Sequence, residues 1–257
     1  MIPSSSERLR DKVAAIVGAS RGIGAATARI LAASGAKVVL ASRDEAALER
    51  LASEVRSAGG EALVAPTDVT DARQVSALVE RTMAKYGRLD IAFNNAGAGN
   101  RLTELVDMSV DEIDSSLCLN LRGVLLAMKF ELAAMIAGGR GAIVNMASTA
   151  GLQGARGLAI YSAAKHGIIG ATKSAALDYG ARNIRVNVVA PGPVLNDRIA
   201  ALPEEQRAPI ARAVPLGRIG QPEEIAAAVA WLCSDQAAFI TGTVLSIDGG
   251  RLAGTWA

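Results

Sequence analysis

Short apolar runs rich in β-branched residues recur along the chain, separated by stretches with a different periodicity. Most of these runs are continuous rather than alternating between apolar and polar residues, which is typical of strands in a parallel sheet covered on both faces. The pattern therefore predicts seven strands. They fall at residues 13–17, 37–41, 62–65, 89–93, 142–146, 184–189 and 243–247.

The stretches between the runs carry apolar residues three or four positions apart, as in Leu48, Leu51 and Val55. This spacing places an apolar stripe along one side of an α-helix. Asp44 and Thr70 each precede such a stretch and are suited to cap the helix that follows. Strands that alternate with helices predict an α/β fold, a doubly wound Rossmann-type domain with a seven-stranded parallel sheet and helices on both faces.

No internal repeat, low-complexity tract or long linker divides the chain, so we expect residues 1–257 to form one domain. Residues 1–10 are expected to form a loose N-terminal tail. Four prolines, at positions 193, 203, 209 and 215, interrupt the helical periodicity of the segment 194–215. That segment is either a mobile flap over a substrate, which we favour, or an ordinary surface loop.

Charge and cysteine content narrow the possible function classes. The 27 basic and 25 acidic residues nearly balance, and the sequence has no basic block of the kind that binds nucleic acid. No apolar run of about twenty residues is present, so we expect no membrane span. Cys118 and Cys233 lie far apart among apolar residues, which favours buried free thiols and a reducing, cytoplasmic compartment. No cluster of histidine, cysteine and carboxylates has metal-ligand spacing, so we expect no metal.

A glycine-rich turn, Gly-Ala-Ser-Arg-Gly-Ile-Gly at residues 18–24, joins the first strand to the first helical stretch. Glycines let a backbone approach a pyrophosphate closely, and the start of a helix presents unpaired N–H groups and a partial positive charge. The turn therefore favours a dinucleotide site. A tight turn without a ligand remains the alternative, since the motif is short.

The end of the second strand bears on which dinucleotide binds. A carboxylate there would bond the ribose 2′-hydroxyl of NAD, whereas this chain has the neutral Ser42 followed by Arg43. A guanidinium clasps a phosphate through its planar fork, so NADP(H) is preferred and NAD(H) is less expected. Alternatively, Arg21 and Arg43 are solvated surface charges, and Asp44 neutralises Arg43.

Several motifs in order along the chain resemble the short-chain dehydrogenase/reductase family, over residues 12–250. They are the glycine turn, Thr67-Asp68-Val69, Asn94-Asn95-Ala96-Gly97, Asn120, Ser148, Tyr161 with Lys165, and Pro191-Gly192-Pro193-Val194. The resemblance implies a catalytic tetrad of Asn120, Ser148, Tyr161 and Lys165. It also implies that Lys165 bonds the nicotinamide ribose and that Asn120 holds a water that relays protons.

The spacing of Tyr161 and Lys165 supports acid–base chemistry, because residues four apart share one face of a helix. A free phenol has a pKa of about 10, and a nearby ammonium favours its ionised form. In reduction, Tyr161 would donate a proton to a carbonyl oxygen that Ser148 also hydrogen-bonds, while hydride arrives from the nicotinamide. The same groups would work in reverse during oxidation.

The positions expected to contact the cofactor come from the glycine turn, the strand ends and the family motifs. They are Gly18, Ser20, Arg21, Gly22, Ile23, Gly24, Ser42, Arg43, Asp68, Val69, Asn95, Ala96, Gly97, Tyr161, Lys165, Pro191, Gly192 and Val194.

Three positions depart from the family pattern. Val17 stands where many members have threonine, and Ala147 replaces the first of two serines. Asn196 takes the place of a threonine that often touches the nicotinamide carboxamide, and its amide can donate and accept hydrogen bonds.

The chain is thus expected to be an oxidoreductase that interconverts a secondary alcohol and a ketone. A 3-oxoacyl-carrier-protein reductase is an alternative within the same class. A non-catalytic NADP-binding redox sensor and a scaffold subunit are alternatives from other classes. We expect the binding partner to be a small carbonyl or alcohol substrate. The apolar stretches 113–136 and 162–179 resemble the helices that form the interfaces of family homotetramers, so we also expect a homotetramer.

Overall fold

The computed structural model describes residues 9–99 and 101–254, and a sheet of seven parallel strands forms the centre of that part. Its strands are β1 (Val13–Val17), β2 (Lys37–Ser42), β3 (Ala62–Pro66), β4 (Ile91–Asn94), β5 (Gly141–Met146), β6 (Ile184–Pro191) and β7 (Val244–Ile247). Their spatial order is β3-β2-β1-β4-β5-β6-β7. The predicted doubly wound parallel sheet is confirmed, and each predicted run overlaps one strand.

Helices occupy the connections between the strands. They are α1 (Gly22–Ala33), α2 (Glu45–Ser57), α3 (Ala72–Tyr86), α4 (Val110–Leu117), α5 (Gly123–Gly138), α6 (Ala159–Tyr179), α7 (Asp197–Ala200), α8 (Glu204–Arg212) and α9 (Pro222–Cys233). A π-helical turn, Cys118–Arg122, links α4 to α5. The apolar stretch 113–136 is therefore two helices with a widened turn between them rather than one regular helix.

Two hydrophobic clusters cover the two faces of the sheet. Helices α3, α5 and α6 pack on one face, and α1, α2 and α9 pack on the other. Strand β1 shows why a continuous apolar run is needed, because Val13 and Val17 join the first cluster while the intervening Ala14 and Ile16 join the second.

The strand order reverses at β1, which pairs with β2 on one side and with β4 on the other. In open parallel sheets the loops at the carboxyl ends diverge at such a point and leave a crevice between them. The glycine turn after β1 and the segment after β4 face each other across this crevice, since Asn95 donates from Nδ2 to the Gly18 carbonyl at 2.9 Å.

Leu9, within the predicted N-terminal tail, packs against the rest of the protein. Leu9 is 1% exposed and its N–H donates to the Ser34 carbonyl at 2.9 Å. The apolar side chain of Leu9 joins the cluster around α1 and α2, so the packed chain includes residues 9 and 10. The rest of the predicted tail, residues 1–8, lies outside the described residues.

The proline-rich segment 194–215 contains α7 and α8 instead of irregular chain. The Asn196 side chain caps α7 by accepting from the Ile199 N–H at 3.0 Å. Pro203 precedes the first residue of α8, a position that needs no N–H donor, and Pro209 lies within the helix. A β-bridge joins Val194, at the start of the segment, to Gly220, five residues beyond its end.

Candidate active site

The glycine turn depends on the absence of side chains. Gly18 has a φ of +88°, and a Cβ there would lie 2.7 Å from the Ala96 nitrogen. A Cβ on Gly24 would collide with the Gly18 carbonyl oxygen. Both positions therefore require glycine to bring β1, α1 and the segment after β4 close together.

The first turn of α1 is open to a ligand. Arg21 occupies the N-cap position without a capping side-chain hydrogen bond, and the first turn contains no acidic residue. Gly22 has a φ of +53°, and a Cβ there would meet nothing within 4 Å. The start of α1 thus offers backbone N–H groups beside empty space, the arrangement that binds phosphate.

A cavity of about 320 Å³ extends from this turn along the ends of β2, β3 and β4. Ten of the residues expected to contact a cofactor line it. They are Gly18, Ser20, Arg21, Ser42, Arg43, Asp68, Val69, Asn95, Ala96 and Gly97.

Asp68 is held in one orientation at the wall of this cavity. Its Oδ1 accepts from the N–H of Thr70 at 2.9 Å and from the Thr70 hydroxyl at 2.7 Å. These hydrogen bonds, with a smaller contribution from the positive charge of Arg43, lower the pKa of Asp68. Thr70, expected to cap α3, instead orients Asp68, and Asp71 caps the helix by accepting from the Arg73 N–H.

A second cavity of about 240 Å³ continues from the first, with which it shares Asn95, Gly97 and Ala98. Ile23, Ser148, Tyr161, Lys165, Pro191, Gly192, Val194 and Asn196 are among its lining residues. Among the expected cofactor contacts, Gly22 and Gly24 are not lining residues of either cavity; they shape the turn.

Ser148 and Tyr161 meet because the turn after β5 packs tightly on α6. A Cβ on Gly151 would lie 2.9 Å from the carbonyl carbon of Lys165, so only glycine permits this approach. Ser148 follows β5, and its hydroxyl accepts from the Ala150 N–H at 3.2 Å. The same side chain hydrogen-bonds the Tyr161 hydroxyl.

Lys165 is 2% exposed, and its Nζ donates to the Met146 carbonyl at 2.9 Å. Its Nζ lies 5.5 Å from the centre of the Tyr161 ring. Burial lowers the pKa of Lys165 to about 8, because desolvation disfavours the ammonium.

The pKa of Tyr161 differs from the expectation that Lys165 would lower it. Burial raises the pKa of the phenol, and the hydrogen bond with Ser148 opposes that shift without cancelling it. The expected lowering came from Lys165 together with an oxidised nicotinamide, whereas in the protein alone desolvation of the phenol is the largest effect on its pKa. The phenol is therefore protonated at neutral pH.

Asn120 is 1% exposed and lies in the π-helical turn. Its Oδ1 accepts from the Ala98 N–H at 3.0 Å, and its Nδ2 lies 3.5 Å from the Ser116 hydroxyl. A Cβ on Gly97 would lie 2.9 Å from that Oδ1 and 3.6 Å from the Nζ of Lys165. Gly97 therefore lies between the Asn120 amide and the Lys165 ammonium. Asn120 also lines a third cavity of about 280 Å³ on the side of α4.

The three departures from the family pattern leave the site intact. The Val17 carbonyl accepts from the Asn95 N–H at 2.9 Å, which ties the turn through the backbone. Ala147 is buried. Asn196 lines the second cavity and caps α7.

Sequence reasoning did not single out Met146, which also lines the second cavity. Met146 contributes its backbone carbonyl to Lys165, a role that no side-chain pattern reveals. Within residues 9–99 and 101–254, no group of three or more His, Cys, Asp or Glu is placed to hold a metal ion. No helix in the same ranges is long and apolar enough to cross a membrane.

Comparison with known proteins gives a family match over most of the chain. The family model described as "Enoyl-(Acyl carrier protein) reductase" matches residues 18–251. The chain is 44% identical to cis-4-hydroxycyclohexanecarboxylate dehydrogenase of Sinomonas cyclohexanicum, over 96% of this chain and 99% of the relative. It is 40% identical to a 3-oxoacyl-[acyl-carrier-protein] reductase of Thermotoga maritima, over 95% of this chain and 98% of the relative.

A solved structure gives the same result. The crystal structure of levodione reductase superposes with a TM-score of 0.93 and 36% identity, covering 96% of this chain and 100% of that one. The family expected from the motifs is confirmed. This chain belongs to the short-chain dehydrogenase/reductase family and is an oxidoreductase that acts on CH–OH groups.

Proposed function

We propose that this enzyme interconverts a secondary alcohol and a ketone with NADP(H), and that Tyr161 is its acid–base residue. The observation that carries the proposal is that Ser148, Tyr161 and Lys165 all line the second cavity. The other described residues that line this cavity, Pro191 and Gly192 among them, carry no charged group.

The two connected cavities fit a nicotinamide dinucleotide. The uncapped start of α1 and the open space at Gly22 suit a pyrophosphate, and Asp68 with Val69 suits an adenine at the far end of the first cavity. When bound, the cofactor supplies or accepts a hydride. The protein contributes orientation of the substrate and transfer of the proton.

The basic residues of the first cavity support NADP(H) over NAD(H). Arg43 lines the cavity beyond Ser42, and no carboxylate replaces Ser42 at the end of β2. Arg43→Asp is expected to reduce kcat/KM with NADPH by about tenfold or more, because it exchanges a phosphate-binding guanidinium for a repelling charge. Arg50→Asp, on the exposed side of α2, makes the same charge change away from the cavity and is the control. If both variants keep the native ratio of NADPH to NADH activity, Arg43 does not select the cofactor.

In reduction, Tyr161 donates its phenolic proton to the carbonyl oxygen of the substrate, and the Ser148 hydroxyl hydrogen-bonds the same oxygen. The raised pKa of Tyr161 keeps this proton in place until the carbonyl binds. Lys165 then compensates the charge that develops on the phenol, and Asn120, near Lys165, holds the water that returns a proton from solvent.

For the substrate we favour a small alicyclic ketone. Two similar proteins, cis-4-hydroxycyclohexanecarboxylate dehydrogenase and levodione reductase, support this class. Lys165 is the one charged residue among the described residues that line the second cavity, and it is buried, which suits the uncharged carbonyl end of such a ring. The 40% identical 3-oxoacyl-[acyl-carrier-protein] reductase makes an acyl thioester the second candidate.

The test is NADPH oxidation with cyclohexanone, 4-oxocyclohexanecarboxylate and an acetoacetyl thioester, alongside calorimetric titration with NADPH. Turnover of the cyclic ketones with a higher kcat/KM than the thioester is the expected result. Turnover of the thioester alone would support the second candidate. NADPH binding without turnover of any carbonyl would instead support a redox sensor, and no binding would support a scaffold.

Three further parts of the proposal concern the whole chain. Residues 1–257 form one catalytic domain, whose segment 194–215 acts as a flap over the substrate. The flap is supported by an ion pair of 3.4 Å between Arg21 in the glycine turn and Asp197 in α7, across the mouth of the cleft.

The enzyme is a cytoplasmic homotetramer. The free thiols of Cys118 and Cys233 support the cytoplasmic compartment. The exposed leucines on α5 and α6 support the tetramer.

A further inference from the structure

A buried polar chain crosses the core beneath the second cavity. Glu131 on α5 is 1% exposed, and its Oε2 accepts from Asn94 Nδ2 at 2.9 Å. The same Nδ2 donates to Asn145 Oδ1 at 3.0 Å, and Asn145 Nδ2 donates to the Thr172 hydroxyl on α6 at 2.9 Å. The chain Glu131–Asn94–Asn145–Thr172 thus links α5, β4, β5 and α6.

Burying four polar side chains needs a reason, because such groups cost stability unless each is satisfied. Here Glu131 Oε1 and Asn94 Oδ1 have no hydrogen-bond partner, so this series of buried side chains is not optimised for stability. Fully apolar side chains at these positions would avoid this cost. The arrangement therefore indicates a role other than stabilising the core.

The two asparagines in the middle of this hydrogen-bonded chain each adjoin a residue that builds the site. Asn94 directly precedes Asn95, which holds the Gly18 carbonyl. Asn145 directly precedes Met146, whose carbonyl accepts from Lys165 Nζ. Thr172 lies seven residues after Lys165, two turns along the same face of α6. Helix α6 is thus attached to consecutive residues of β5 by two polar bonds, one of which holds Lys165.

We propose that Glu131 is a positioning residue, which fixes through Asn94 and Asn145 the position of β5 against α6, and with it the Met146 carbonyl that holds the Lys165 ammonium beside Tyr161. This inference rests on the proposed function of Lys165 and Tyr161. Glu131 acts as a hydrogen-bond acceptor in its neutral form, since its contact here is an amide and an ionised carboxylate would remain uncompensated. Burial raises the pKa of Glu131 to about 7, so the neutral form predominates below neutral pH.

The test compares four variants with the native holoenzyme. Glu131→Gln keeps the shape and an acceptor, while Glu131→Met removes both oxygens. Thr172→Val removes the hydroxyl at the other end of the chain. Thr82→Val is the matched control, because Thr82 is equally buried and its hydroxyl donates only to the Leu78 carbonyl of its own helix, α3.

Glu131→Met is expected to lower kcat by about tenfold or more with little change in the ketone KM, since Lys165 loses its fixed bond to the Met146 carbonyl and its ammonium moves relative to Tyr161. The pH midpoint of alcohol oxidation should rise by roughly half a unit, because a displaced ammonium stabilises phenolate less. Thr172→Val should shift both quantities in the same direction. Glu131→Gln and Thr82→Val should retain the native midpoint and kcat within about threefold.

The proposal is overturned if Glu131→Met lowers only the melting temperature and keeps the native kcat and pH midpoint. It is also overturned if Glu131→Gln is as impaired as Glu131→Met, or if Thr82→Val matches Thr172→Val. Should Glu131→Met fail to fold, the comparison of Thr172→Val with Thr82→Val decides. Absence of turnover in the native enzyme would instead contradict the proposed function.

Discussion

At the scale of single residues, the motifs predicted the site because its members sit at strand ends and on one helix face. Ser148, Tyr161 and Lys165 line one cavity as their spacing suggests. Glu131 was missed, although it had a signal: it continues the apolar stripe of Val124 and Met128 on α5, where a carboxyl must be buried. The pKa of Tyr161 was not predictable, since desolvation depends on the three-dimensional environment.

The pH dependence follows from these pKa shifts. In the proposed mechanism, reduction requires a protonated Tyr161, whose raised pKa retains the proton, and a charged Lys165, whose pKa is lowered to about 8. The kcat/KM for ketone reduction should therefore be constant at lower pH and fall above about pH 8. Oxidation requires the phenolate and should rise with pH. Rates of both directions across the pH range test this, and a reductive rate already falling between roughly pH 6 and 7 contradicts it.

At the scale of elements, the alternating periodicities predicted strands and helices in the right order. Two local features escaped prediction. The π-helical turn at Cys118–Arg122 leaves the apolar pattern unchanged, so nothing in the pattern distinguishes it from a regular helix. In the segment 194–215, prolines weakened the expectation of helices, yet Pro203 stands just before α8, where a proline is tolerated.

The flap hypothesis predicts that cofactor protects this segment from trypsin. Arg198 and Arg212 are exposed there, and Arg21 in the glycine turn pairs with the start of α7. NADPH should slow cleavage after both arginines by about tenfold, because closure lowers the population of open states. Cleavage after the exposed Arg251 is the internal control. Equal cleavage rates with and without NADPH would show that the segment does not close over the cofactor.

At the scale of the whole molecule, alternation of strands and helices predicts a parallel sheet, and right-handed crossovers restrict its strand order. The reversal at β1, which opens the crevice, is a property of the packed sheet and cannot be read from any one segment. The exposed apolar surface is likewise a property of the packed molecule. Leu125 and Leu177, on adjoining helices of one face, are 41% and 85% exposed.

The homotetramer hypothesis predicts that Leu177→Lys weakens assembly, because it places a charge in an apolar subunit interface. Sedimentation of the native enzyme at micromolar concentration should give four times the 26.3 kDa of one chain. Leu177→Lys should sediment as a smaller species. Ser53→Lys, which adds the same charge on the exposed side of α2, should remain tetrameric. A native protein that sediments as a monomer would contradict the hypothesis.

The most direct test of the account is the effect of Tyr161→Phe on single-turnover reduction of a cyclic ketone by bound NADPH. The substitution removes the phenolic oxygen and keeps the ring, so NADPH affinity should stay within about threefold of native. The rate of hydride transfer should fall by at least about a hundredfold, the lower end for loss of an acid–base group. A variant that binds NADPH normally and reduces the ketone at the native rate would contradict the assignment of proton transfer to Tyr161.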